Sequence, residues 1–190
     1  DANQAVELLT YLSEKGGDPE VLRLLPPARF EAAEILGSLN QTERALEHLQ
    51  GGLDDLELME PDFGRAEYCL ERARALSLKA GMVDDQQASE SLSDALVLVG
   101  KASTEGAETH FLETEIRRSR AEVLLRLGRT AEAVDELLGQ AGTLDDQARK
   151  DQIGSLLETM LTQAHAVQQR DGREAAVAAY DRVVQMAELL

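Results

Sequence analysis

Apolar residues recur every three or four positions along most of the chain, so the sequence predicts a succession of amphipathic helices punctuated by glycine, proline and capping residues. The segment 119–141 states the pattern most clearly. Ala121, Leu124, Leu125 and Leu127 fall on one face of a helix, Gly128 stops it, and Ala133, Val134, Leu137, Leu138 and Ala141 line the next. Together they form one helical hairpin.

The same alternation holds elsewhere in looser form. Ala5, Val6, Leu8, Leu9 and Leu12 predict a helix over 2–15 that ends at Gly16-Gly17. Asp18-Pro19-Glu20 then supplies a cap, a first-turn proline and a first-turn acid. Pro26-Pro27 removes two donors and restricts the preceding backbone, so 21–25 and 28–39 are expected as separate or sharply kinked pieces. Asn40 with Glu43 forms a capping pattern ahead of Ala45, Leu46, Leu49, Leu53 and Leu56. Gly51-Gly52 inside that pattern marks either a helix end or a place of close packing.

Pro61-Asp62 opens a helix over 63–80 with Ala66, Cys69, Leu70, Ala73 and Leu76 inward, and Gly81 ends it. Asp84 with Gln87 caps a return helix carrying Ala88, Leu92, Ala95, Leu96 and Val99 up to Gly100. Residues 101–106 read as a loop before a long helix that reaches about Leu127. Thr143 with Asp146 starts another, through Leu157, Met160 and Ala164. Asp171 with Glu174 makes the clearest capping box, ahead of a last helix through Ala176, Tyr180 and Val183.

A repeat underlies these helices. Pairs of small and large residues on the return helices, Ala45 with Leu49, Ala88 with Leu92, Ala133 with Leu137 and Ala176 with Tyr180, lie 43, 45 and 43 residues apart. Ala33, Ala121 and Ala164 stand twelve residues before their return-helix alanines, whereas Ala75 stands thirteen before Ala88, in keeping with a longer turn at 81–85. An alanine on each helix at the closest crossing lets two backbones approach, and the large residue one turn away fills the groove beside it. Ala121, Leu124, Gly128, Ala133 and Leu137 resemble the tetratricopeptide-repeat pattern. Asn40 and Asp171 stand where Gly128's copy has the turn glycine.

The resemblance covers about 27–190. Its period near 43 exceeds the usual 34 and points to the long-helix variety, similar to repeats in kinesin light chain and in the sensor arms of large bacterial transcription regulators. HEAT-like repeats share that period and remain an alternative. The fold expected is an all-α, right-handed superhelical solenoid of antiparallel hairpins over 27–60, 61–100, 101–142 and 143–190. Residues 1–26 are either a capping helix or the remainder of a preceding repeat.

Composition agrees with helices built on aliphatic cores: aromatics are 3%, tryptophan is absent, and every proline precedes residue 62. No apolar run approaches the roughly 20 residues needed to cross a bilayer, and the opening DANQAVELL lacks the blocks of a signal peptide, so a cytoplasmic location is expected. A net charge of −17 argues against nucleic acid or an anionic membrane as partner. Cys69, the single cysteine, lies on an apolar helix face and reads as a packed thiol. His48, His110 and His165 are far apart, and no metalloprotease, Walker, nucleophile-elbow or dinucleotide motif occurs. No enzyme activity, metal or cofactor is therefore expected.

What the resemblance implies is a protein-interaction module with a concave groove lined by the outgoing helices. As an alternative, the chain is the regulatory arm of a larger signalling or transcription protein. Helical offset from the repeat alanines assigns Phe30, Glu34, Arg72, Lys79, Arg118, Glu122, Arg126, His165 and Gln168 to that groove. Four of these are basic, so the expected ligand is a protein or peptide with an acidic segment. Pairing of Arg118 and Arg126 with acids one turn away is the plainer account of the same charges. Self-association through a terminal helix with an uncovered apolar face is a further expectation.

Overall fold

The computed structural model describes residues 22–59, 64–129 and 172–187, together with scattered positions within 4–11, 132–136 and 154–169. Among the described residues the fold is all-α, with no β-strand. The helices run α1 (Leu25–Ser38), α2 (Thr42–Leu58), α3 (Arg65–Ala80), α4 (Asp85–Thr104), α5 (His110–Arg126) and α6 (Arg173–Ala187). None of them is long and apolar enough to cross a membrane. The chain divides into two compact units, Asp1–Ile116 and Arg117–Leu190.

The double proline opens α1 rather than breaking a helix there. Pro26 and Pro27 sit in its first turn, where backbone N–H groups have no intrahelical acceptor and a missing donor costs nothing. The break expected at the prolines falls two residues earlier, at the turn of 23–24. At the other end, Asn40 adopts a left-handed φ of 58°. Its N–H donates to the Gly37 carbonyl at 3.0 Å and that of Gln41 to Leu36 at 2.9 Å, the paired bonds of a Schellman closure. Asn40 therefore ends α1 and does not cap α2, whose N-cap is Gln41 without a side-chain bond. A capping residue enters the helix with negative φ, as Gln41 does at −95°, and Asn40 at 58° lies outside that region.

Gly128, with φ 75°, closes α5 by the same two bonds, from Gly128 to Leu125 at 2.9 Å and from Arg129 to Leu124 at 2.8 Å. The two repeat positions aligned in sequence thus do the same work with different residues. The turn after α3 differs: Gly81 has φ −72° and no left-handed residue follows, so the turn runs longer, and Asp84 caps α4 by accepting the Gln87 N–H at 3.0 Å. This accounts for the thirteen-residue spacing between Ala75 and Ala88.

Gly100 does not end α4. The helix continues to Thr104, and Ala102, in what reads from sequence as a loop, is fully buried in the core. Burial of that extra turn outweighs the glycine, and the left-handed Gly106 (φ 86°) closes the helix instead.

Helices α1 and α2 form an antiparallel hairpin, since Arg29 near the start of α1 donates to Asp55 near the end of α2 at 2.6 Å. Helices α3 and α4 do the same, with Arg65 facing Glu105 at 3.9 Å. The hairpins pack together mainly through α2 and α3. Their shared core joins Phe30, Ala33 and Leu36 to Ala45, Leu49 and Leu56, and these to Tyr68, Cys69 and Ala75. Cys69 is a buried core thiol, as its apolar helix face suggests.

In the second unit, Ala121, Leu124, Leu125, Ala133 and Met160 share one cluster with Leu157 and Val183 against it, so Ala121 and Ala133 lie in one core. Glu136 is buried there and accepts from Arg117 at 2.6 Å and from Arg120. Of the helix expected over 2–15, only positions 4, 7, 8 and 11 are described; they are helical, with Leu8 and Tyr11 exposed. Asp18, Pro19, Pro61, Asp62, Thr143 and Asp171 lie outside the described residues.

His48 on α2 carries a pH-dependent contribution. Its Nδ1 is buried without a hydrogen-bond partner, and burial first, then Arg29 and Arg44, hold its pKa below the ordinary value of 6.5. The folded state therefore resists protonation more than the unfolded one, and the stability tied to neutral His48 is present above 6.5 and lost as pH falls toward the lowered folded value. In urea denaturation, His48→Gln is expected to lose less stability than the parent between about pH 7.5 and about pH 5.5. Equal losses would show that His48 is not the group responsible.

Candidate functional site

Helices α1 and α3 and the start of α5 line a common groove of about 580 Å³ in the first unit. Helix α1 supplies Pro27, Phe30, Glu31 and Glu34, spaced to share a face. Helix α3 supplies Glu71, Arg74, Ala75, Ser77 and Leu78, and the start of α5 adds Phe111, Leu112 and Glu115. The floor is apolar, and Phe111 is 76% exposed on it. Of the two phenylalanines described, Phe30 is buried in the core and Phe111 is not.

Among the described residues four carboxylates line the groove against one guanidinium, and Arg74 is held by Glu71, one turn before it, at 2.6 Å. No ion pair among the described residues engages Glu31, Glu34 or Glu115, all of which are exposed.

Of the residues assigned to a groove by helical offset, Phe30 and Glu34 stand in it, and Arg72 and Lys79 do not line it. Arg72 lies on the side of α3 that lines the hollow against α4, away from the stripe of Glu71, Arg74, Ala75 and Leu78. Ala33 and Ala75 are both buried in one core, as their alignment in sequence has them. What could have found Glu31, Glu71 and Arg74 is the spacing i, i+3, i+4, i+7, which both 27/30/31/34 and 71/74/75/78 obey.

Arg72 points instead into a second hollow of about 490 Å³ between α3 and α4, which Tyr68, Cys69, Asp94, Val97 and Lys101 also line. It is pinned there, since its Nη1 donates to the Tyr68 hydroxyl at 2.6 Å and its guanidinium lies 5.9 Å from the Tyr68 ring centre. Arg65, Arg72 and Lys101 share this hollow with Glu57 and Asp94, a mixed set without a nucleophile and base in contact.

The remaining assigned residues belong to the second unit. His165 stacks edge-on against Tyr180 at 5.8 Å, and the Tyr180 hydroxyl donates to Gln168 Oε1 at 2.7 Å, so these two expected groove residues meet through Tyr180. Arg118 and Arg126 are exposed and Glu122 is half-buried. Arg129 and Glu132 pair at 2.6 Å on the surface; that bond raises the pKa of the arginine and lowers that of the acid.

Among the described residues no group of histidine, cysteine and carboxylate side chains could hold a metal ion. In comparison with known proteins, no protein-family model matches the chain and no curated protein matches it significantly.

Proposed function

We propose that this chain is a protein-interaction module, a tetratricopeptide-like solenoid that holds a segment of a partner protein in the groove between α1, α3 and α5. The observation that carries this reading is Phe111, 76% exposed beside Phe30, Leu78 and Leu112 on a concave surface. A large aromatic side chain in water at the mouth of an apolar groove favours a ligand that covers it, and such anchors dominate binding energy at protein interfaces. The repeat explains why three helices converge there: stacking hairpins places every outgoing helix on the same side. The reading assigns the chain no chemical step.

A photo-crosslinking residue at position 111 should trap a discrete partner in cells, while the same residue at Val97, also exposed but outside the groove, should not. Purified with that partner, Phe111→Ser should weaken binding at least about tenfold, as expected for loss of a buried aromatic anchor. Identical products from both positions would sink the reading.

A further inference from the structure

The groove also states what kind of segment fits it. Its open acids surround its apolar floor: Glu31 and Glu34 flank Phe30 on α1, and Glu115 lies one turn beyond Phe111 on α5. Among the described residues the one basic side chain on the lining, Arg74, is already engaged by Glu71 at 2.6 Å. An acidic segment would bring like charges within the screening distance of about 8 to 10 Å of these acids.

Resting on the docking role proposed above, we infer that the occupant is a basic segment of a partner protein, with a large apolar residue set against Phe111 and arginine or lysine beside it. Arginine suits the site better than lysine, because its planar fork can pair with a carboxylate through two bonds and its stem can lie along an aromatic face. The net charge of −17 would further draw such a segment in during encounter.

The test is selection of a random dodecamer peptide library on the full 190-residue chain, followed by binding measurements with the enriched peptides as synthetic probes. Two variants serve as readouts: Phe111→Ser, and the triple variant Glu31→Gln, Glu34→Gln, Glu115→Gln. All four altered side chains are exposed, so neither variant removes core packing. Unchanged thermal unfolding would verify that.

The expected result is enrichment of peptides with net positive charge and at least one large apolar residue. Their binding should weaken about tenfold or more in the triple variant and in Phe111→Ser, and should fall with added salt. Enriched peptides that are neutral or acidic, yet depend on Phe111, would overturn the basic partner and leave the docking role standing. Basic peptides indifferent to both variants bind elsewhere and overturn it as well. If nothing enriched depends on Phe111, both the basic partner and the docking role fall.

Discussion

Leu56→Ala should lower the stability of the first unit by about 2 to 5 kcal/mol, the range for truncating a leucine that its surroundings cannot collapse upon. Leu56 is 0% exposed and shares the core with Leu49, Tyr68, Cys69 and Ala102, from three successive helices. The cavity would therefore open where the two hairpins join. The alanines around it have no rotatable side chain that could move into it. Urea denaturation followed by circular dichroism should show a lower midpoint with an unchanged slope. Leu56→Met, which conserves volume, should cost less than about 1.5 kcal/mol. If the alanine variant lost less than about 1 kcal/mol, Leu56 would not be the wedge between the hairpins.

Three helical glycines should respond to alanine in three different ways. A Cβ on Gly52 would lie 2.5 Å from Phe30 Cε1 and 3.2 Å from Arg29 Cβ, so Gly52→Ala forces α1 and α2 apart. Overpacking of this kind costs about 1 to 3 kcal/mol and outweighs the gain in helix propensity of about 1 kcal/mol at most. At Gly51 the nearest atom is Arg29 Nη1 at 3.0 Å, the far end of a long side chain that can yield. The two effects should then nearly cancel. At Gly100 nothing lies within 4 Å, and Gly100→Ala should stabilise by about 0.5 to 1 kcal/mol. Ranked by urea midpoint, the expected order is Gly100→Ala, then the parent and Gly51→Ala together, then Gly52→Ala. A Gly52→Ala variant more stable than the parent would refute the close crossing at Phe30.

The helices themselves were legible because their signals are local. Asp84 with Gln87 marks a capped start that the structure keeps, and Gly128 marks a stop that it keeps as well. Local signals misled where two motifs competed for one residue. Asn40 satisfies a capping pattern in sequence, yet the short turn between α1 and α2 needs a left-handed residue there, and asparagine tolerates it. Gly100 reads as a stop, yet the burial of Ala102 two residues on holds the helix together.

The candidate groove was only partly legible. Phe30 and Glu34, assigned from sequence to a groove, line the hollow of the first unit, while Arg72 lines the one between α3 and α4. Phe111 gave little warning, since a lone aromatic at a helix start more often packs than projects.

By itself, then, the order of residues determined the helical class, most of the turns and the 43-residue rhythm of small and large side chains, since each depends on neighbours within one or two turns of the chain. Which face of each helix meets the groove, and with what charge, was decided by the tertiary structure. One residue of register rotates a helix face by about 100°, and only packing against other helices sets the register. Packing leaves Glu31, Glu34, Glu71 and Glu115 on the groove around an exposed Phe111 and sets Arg72 in the hollow against α4.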